Sequence, residues 1–333
     1  MQKLPMGRGR TFNQPGKIEG GKTVAETAGE ARAALAFSGF FLLAGLTLCW
    51  GFNWPIMKIA LGEVKPWTFR TLCLMIGGFG LLAIAKLNGF SLRIPRRERL
   101  PLLLVSLLNI TGWHLSSAYG LILMNAGRAV ILAYTMPLWT SILSILVLGE
   151  RLTPVRLAGL GLGLAGMAIL ISADIEAVGA MPLGALFMVI AALSWAAGTV
   201  AIKYFHWTMP TSLLTGWQLI VGGVPVVIGA LIMEPFSALS NVSTQAILAT
   251  AYAILGAMIF CHYAWFKMVH ILPAPVAAIA TLAIPVVGVF SSALILGEPA
   301  GFRELLSLAL VVSALAIVLI GPFWLRPSRP SQG

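Results

Sequence analysis

Two histidines, His114 and His262, stand inside long apolar runs, where an ionisable group is costly to keep without a partner and so marks a candidate site. An imidazole there could relay a proton or hold a substrate carboxylate. It could equally hydrogen-bond a neighbouring helix and do nothing more. The same runs carry Trp50, Tyr134, Trp195, Trp217 and Tyr263, with Asn53, Asn109 and Gln218. Aromatics are ordinary at a membrane interface, but at depth each N–H or O–H must find a helix neighbour, a water or a ligand. Apolar walls with a few polar groups suit a small-molecule site. The candidate substrate-binding residues are therefore Trp50, Asn53, His114, Tyr134, Trp195, Gln218, His262 and Tyr263, although packing explains any one of them taken singly. Pro137 and Pro285 fall near the centres of two runs. An interior proline removes an i to i−4 hydrogen bond, and the freed carbonyl is tolerated at membrane depth where it is buried in protein or lines a wet cavity. These prolines are candidate gating hinges, with a simple packing kink as the alternative.

Other chemistries find less support. No Asp or Glu lies in the middle of an apolar run, so the usual carboxylate for sodium or proton coupling is missing. An intramembrane hydrolase could be assembled from Ser116 or Ser117 with His114 or His262, but the chain has neither a G-x-S-x-G elbow nor an H-E-x-x-H metal pair. A channel should show charged rings or carbonyl-rich filter elements, and a helical scaffold remains the other alternative. Cys49, Cys73 and Cys261 have neither disulfide nor metal-ligand spacing. No catalytic residue, metal or cofactor is expected. Gly149-Glu150 and Gly297-Glu298 look like helix stops: Gly149 suits a C′ position, Thr153 and Pro154 suit the N-cap and N1 of the next helix, and the two glutamates suit capping roles.

The elements that must position these groups are membrane-spanning helices. Of the 333 residues, 59% are apolar and 10% charged, against roughly 45–50% and about 25% in a soluble domain. A span needs roughly 20 mostly apolar residues. Ten such stretches lie at 37–59, 67–87, 100–122, 128–148, 157–173, 183–203, 212–233, 246–268, 274–296 and 303–323. Residues 1–36 and 324–333 are expected as cytoplasmic tails, the first of them disordered. The net charge of +11 does not imply a nucleic-acid partner, because the basic residues sit in tails and loops instead of on one exposed face. With the N-terminus inside, 17 of the 22 Lys and Arg fall on the cytoplasmic side. That bias predicts a multi-pass protein of the cytoplasmic membrane with both termini inside. Arg70 and Arg128, at the outer starts of two spans, are expected to snorkel towards lipid phosphates, with guidance of anionic substrates as the alternative. Gly159 and Gly163 form a G-x-x-x-G pair that permits close helix packing, including packing in a homodimer.

The chain also repeats itself. Ile110 to Glu150 realigns without a gap on Met258 to Glu298, at a shift of 148 residues. His114 then falls on His262, Pro137 on Pro285 and Glu150 on Glu298. Trp50 to Lys58 (WGFNWPIMK) falls on Trp195 to Lys203 (WAAGTVAIK) at a shift of 145. Repeats with an odd number of spans enter the membrane from opposite sides. The expected fold is thus an all-α integral membrane protein of two inverted five-helix repeats, 37–173 and 183–323. In such proteins the substrate site lies near the midplane between the repeats.

On these residues the chain resembles the drug/metabolite transporter superfamily, and within it the EamA-type ten-helix carriers. The resemblance rests on Trp50-Gly51-Phe52-Asn53 with Lys58, on Pro137 followed by Leu148-Gly149-Glu150-Arg151-Leu152 and a Gly-rich fifth helix, and on Pro285 followed by Leu296-Gly297-Glu298-Pro299. It covers about residues 37–323. It implies a secondary carrier that exports an amino acid or similar small metabolite by alternating access, with substrate and membrane lipid as its partners. In the second copy Ala196 and Gly198 replace Gly51 and Asn53, which places more of the polar recognition in the first helix.

Overall fold

The computed structural model describes residues 24–150, 153–178, 183–234, 241–271 and 274–324. Among these residues the chain is helical, without strands, and reads as ten helices. They are α1 (Val24–Leu61), α2 (Pro66–Leu87), α3 (Arg96–Leu123), α4 (Ala126–Leu148), α5 (Pro154–Val178), α6 (Leu183–Tyr204), α7 (Thr211–Met233), α8 (244–271), α9 (Ala274–Leu296) and α10 (Phe302–Trp324). Each coincides with one of the ten apolar stretches, but α1 begins at Val24, so residues 24–36, expected as part of a disordered tail, are helical, and the remainder of that tail and residues 325–333 lie outside the described residues. Helices α2, α3, α4, α6, α7 and α8 are long and apolar enough, over their described residues, to cross a membrane, while α5 and α9 contain the shorter apolar segments Leu157–Ser172 and Leu282–Leu296.

Helix ends and interruptions follow the local sequence. Gly149 and Gly297 adopt left-handed φ of +67° and +64°, which only glycine reaches without a Cβ penalty. Each ends its span and turns the chain so that Glu150 or Glu298 comes next. In α4 the helix breaks at Tyr134 and Thr135, and Pro137 sits in the first turn of the following segment, Met136–Leu148. A missing N–H is harmless there. Helix α9, by contrast, runs unbroken through Pro285. The matched prolines therefore act differently. Helices α3 and α8 each contain a π-turn segment, Leu107–Gly112 and Ala253–Phe260, which overlap at the same shift of 148. Such bulges disturb the i to i−4 ladder and recur at functional sites.

Packing crosses between the repeats. Helix α2 lies along its counterpart α7, and α5 along α10, whereas α1 packs on α8 and α9 of the second repeat and α6 packs on α3 and α4 of the first. The motif WGFNWP accounts for the α1–α9 contact. A Cβ at Gly51 would come within 2.4 Å of Val287 Cγ1, so only glycine allows this approach. Pro55 cannot donate to the Gly51 carbonyl, and the Ser291 hydroxyl of α9 points to that oxygen at 3.5 Å. Gly159 and Gly163 are used inside the molecule, Gly159 facing Ala314, Ile317 and Val318 of α10 and Gly163 facing Leu138 of α4.

Polar ties cluster at the two ends of the bundle. Glu234, at the end of α7, accepts the Trp67 and Thr68 backbone N–H groups at 3.1 and 2.8 Å, capping α2. Glu98 accepts the Thr208 N–H at 2.9 Å. In the loop after α1, the Ser243 hydroxyl and N–H donate to Glu63 at 2.6 and 2.7 Å and hold its carboxyl below the usual range. Two expectations are corrected here. Arg128 does not snorkel to lipid, because Glu304 of α10 accepts from its Nε and Nη2 at 2.8 and 2.6 Å. Arg70 is only 3% exposed and points inward.

Candidate functional site

The interior site is built from α1, α2, α3, α6 and α8. Trp50 Nε1 donates to the Ala257 carbonyl of the π-turn in α8 at 3.2 Å. The His262 ring meets that carbonyl through Nδ1, also at 3.2 Å. The Trp50 and His262 rings lie edge to face with centroids 5.7 Å apart, and Trp265 flanks Trp50 at 6.2 Å. On the other repeat the arrangement is echoed. The Trp195 ring of α6 meets the Trp113 ring of α3 at 5.2 Å between centroids, tilted by 60°, and Ser194 donates to the Leu108 carbonyl in the π-turn of α3 at 2.7 Å. In both halves, a side chain from the first helix of one repeat binds a carbonyl of the other repeat's π-turn.

Against His114 sits a buried cation. Arg70 Nε donates to the His114 carbonyl at 2.8 Å, and Nη2 donates to Ser117 Oγ at 2.9 Å. No carboxylate pairs with it among the described residues. Next to it, His114 Nδ1 is buried without a partner, as are Thr71 Oγ1 on α2, Asn109 Oδ1 on α3 and Asn53 Oδ1 on α1. Buried polar atoms are nearly always hydrogen-bonded, so each of these unpaired atoms is a candidate contact for a polar ligand.

The structure brings Trp50 and His262 together, and places His114 beside Arg70. Trp195 joins through Trp113, the neighbour of His114 in sequence. Tyr134 is buried at the break in α4, and Gln218 is buried on α7. Tyr263 is 39% exposed and lies under the Lys267 ammonium at 5.9 Å. The structure does not bring Tyr263 into the group. Sequence reasoning did not single out Trp113 or Ser194, gave Ser117 only a hydrolase role, and read Arg70 first as a snorkelling residue. The available signal for Arg70 was its position one turn inside an apolar stretch instead of in the loop.

The different settings of the two prolines give the first prediction. Pro285→Ala restores an N–H within an unbroken α9, and a backbone hydrogen bond is worth about 0.5–1.5 kcal/mol. If that bond forms in only one of two conformations, rates change by about two- to tenfold. Pro137→Ala adds an N–H in a first turn, where none is required, and should leave transport near wild type. Substrate counterflow by the two purified variants checks this, and equal slowing by both would refute the distinction.

Inverted repeats of apolar helices, the first helix of each packed on the other repeat, have the architecture of a multi-pass membrane transporter. Comparison with known proteins agrees. A sequence model described as "EamA-like transporter family" matches twice, over residues 37–172 and 182–320. A Bacillus subtilis (strain 168) protein named "Uncharacterized transporter YvbV" is 32% identical over 83% of this chain and 90% of its own length. Proteins named "Probable amino-acid metabolite efflux pump" from Salmonella typhimurium and Escherichia coli are each 26% identical, over 87% and 84% of this chain and 98% and 94% of their own. One crystal structure, 23% identical, superposes with a TM-score of 0.63 over 88% of this chain and 99% of its own, which shows the fold. The chain belongs to the EamA-like transporter family. It is a transporter and not an enzyme.

Proposed function

We propose that this protein is a secondary carrier that exports a small carboxylate-bearing metabolite, an amino acid or a related compound, by alternating access. The observation that carries the reading is Arg70, a guanidinium 3% exposed with no acidic partner among the described residues and with the unpaired His114 Nδ1 beside it. An uncompensated charge at such a site is unfavourable, and a substrate carboxylate would offset it with bidentate geometry. Asn53 Oδ1, an unpaired acceptor, suits a substrate amino group. The efflux-pump names of the Salmonella and Escherichia relatives support both the substrate class and the direction. The test is counterflow in proteoliposomes with a panel of amino acids, their amides and their decarboxylated amines. Saturable exchange of the acids well above that of their amides and amines supports the reading, and absence of exchange for every acid refutes it.

Both termini are placed in the cytoplasm, on the strength of the 17 of 22 basic residues that this orientation puts inside. The expected result is a cytoplasmic signal from a reporter fused after Gly333 and from one inserted near Pro95. A periplasmic signal from either would overturn the arrangement.

A further inference from the structure

The two lysines and two glutamates matched by the internal repeat form matched ion pairs. Lys58, at the end of α1, pairs with Glu298, just after α9, at 3.1 Å. Lys203, at the end of α6, pairs with Glu150, just after α4. Lys58 corresponds to Lys203, and Glu150 to Glu298, in the repeats of the sequence. Each pair joins one repeat to the other. Inversion puts the pairs at opposite ends of the bundle, Lys58–Glu298 on the outer face and Lys203–Glu150 on the inner face in the proposed orientation.

The outer pair also grips the turn between α3 and α4. Glu298 accepts the backbone N–H groups of Ala126 and Gly127 at 2.9 and 3.0 Å, and Lys58 Nζ donates to the Met124 carbonyl at 2.5 Å. One carboxylate thus serves α1, α9 and the free N-terminus of α4, where an anion is favoured by the unpaired N–H groups and the helix dipole. Separating the outer ends of α4 and α9 requires all of these contacts to break together.

We propose that these two knots are the outer and inner latches of the carrier, each holding one face of the central site shut and each released in turn. The inference rests on the alternating-access reading and adds that the latches are unequal. On the inner side, the positions matching Ala126 and Gly127 are Ala274 and Pro275, and proline has no N–H to give. The inner ion pair is also wetter, with side chains 62% and 22% exposed against 27% and 11% for the outer one, so solvent screens it more. The outer latch is the stronger, and the carrier rests with its outer face closed.

The test reads conformation directly. In a variant lacking the three native cysteines, Asn53→Cys supplies one interior thiol, and a membrane-impermeant methanethiosulfonate reagent is applied to vesicles from one side at a time. Parent protein should label faster from the inside. Glu298→Gln, which keeps size but loses charge, should raise outside labelling severalfold and lower inside labelling. Glu150→Gln should do the reverse. Lys58→Met and Lys203→Met should repeat the two patterns more weakly. A loosened or misfolded protein would label faster from both sides, so equal increases overturn the proposal, as would unchanged rates in all four variants. Counterflow by the protein that retains Asn53, measured in parallel vesicles, separates this outcome from the carrier reading, because a protein that carries no substrate can still show or lack the opposed labelling pattern.

Discussion

Arg70→Gln should reduce transport of a carboxylate substrate by about ten- to a hundredfold and leave transport of the matching decarboxylated amine nearly unchanged. Hydrogen bonds to charged groups contribute about 1.5–3 kcal/mol, and each 1.4 kcal/mol is about tenfold. Glutamine keeps one donor for the His114 carbonyl or for Ser117, so part of the helix contact survives while the charge is lost. Arg70→Lys should fall between, since an ammonium keeps the charge but cannot reproduce the planar fork that reaches both the His114 carbonyl and Ser117 Oγ. Competitive uptake of an amino acid and its amine into proteoliposomes provides the measurement. An equal loss for both compounds would reduce Arg70 to a structural tie between α2 and α3.

The second large effect is on stability. Gly51→Ala puts a methyl carbon within 2.4 and 2.5 Å of Val287 Cγ1 and Cβ. Rotating the valine cannot relieve the clash, because its Cβ is fixed to the backbone of α9. Overpacking of this kind costs about 1–3 kcal/mol, and here it separates α1 from α9 at the crossing between repeats. Thermal unfolding of the detergent-solubilised protein should show a clearly lower midpoint. Val287→Gly in the same chain removes the clashing atoms and should recover much of the loss. A Gly51→Ala protein as stable as its parent would mean that the helices are not held this closely.

The ten helices and the inversion were readable because both leave direct marks on the chain: apolar length, and a shift of 148 that aligns His114 with His262 and Glu150 with Glu298. The π-turns in α3 and α8 were not readable, since LLNITG and AILGAMIF carry no signal distinguishing them from ordinary apolar helix. Arg70 was misread for a physical reason. An arginine one turn inside a span has the same sequence context whether it reaches out to lipid or in to a neighbouring helix, and only the side-chain direction decides. The capping role of Glu298 was legible from Gly297-Glu298, but not that the capped helix belongs to the other repeat. Pro137 and Pro285 align perfectly in sequence, yet the break at Tyr134 and Thr135 gives them different work. Local context beyond the proline itself decides whether a span breaks.

The missing N–H at Pro275 reaches beyond this one molecule. Two identical five-helix units assembled antiparallel would have interchangeable faces, and exchanging them would convert the outward-open form into the inward-open form at equal energy. Such a dimer could never prefer one side of the membrane. Joining both units in one chain lets each copy mutate alone, and replacing the residue matched to Gly127 by proline is a small change of that kind. A duplicated gene can in this way acquire a resting direction without a new fold, by losing a single backbone donor from one of its copies.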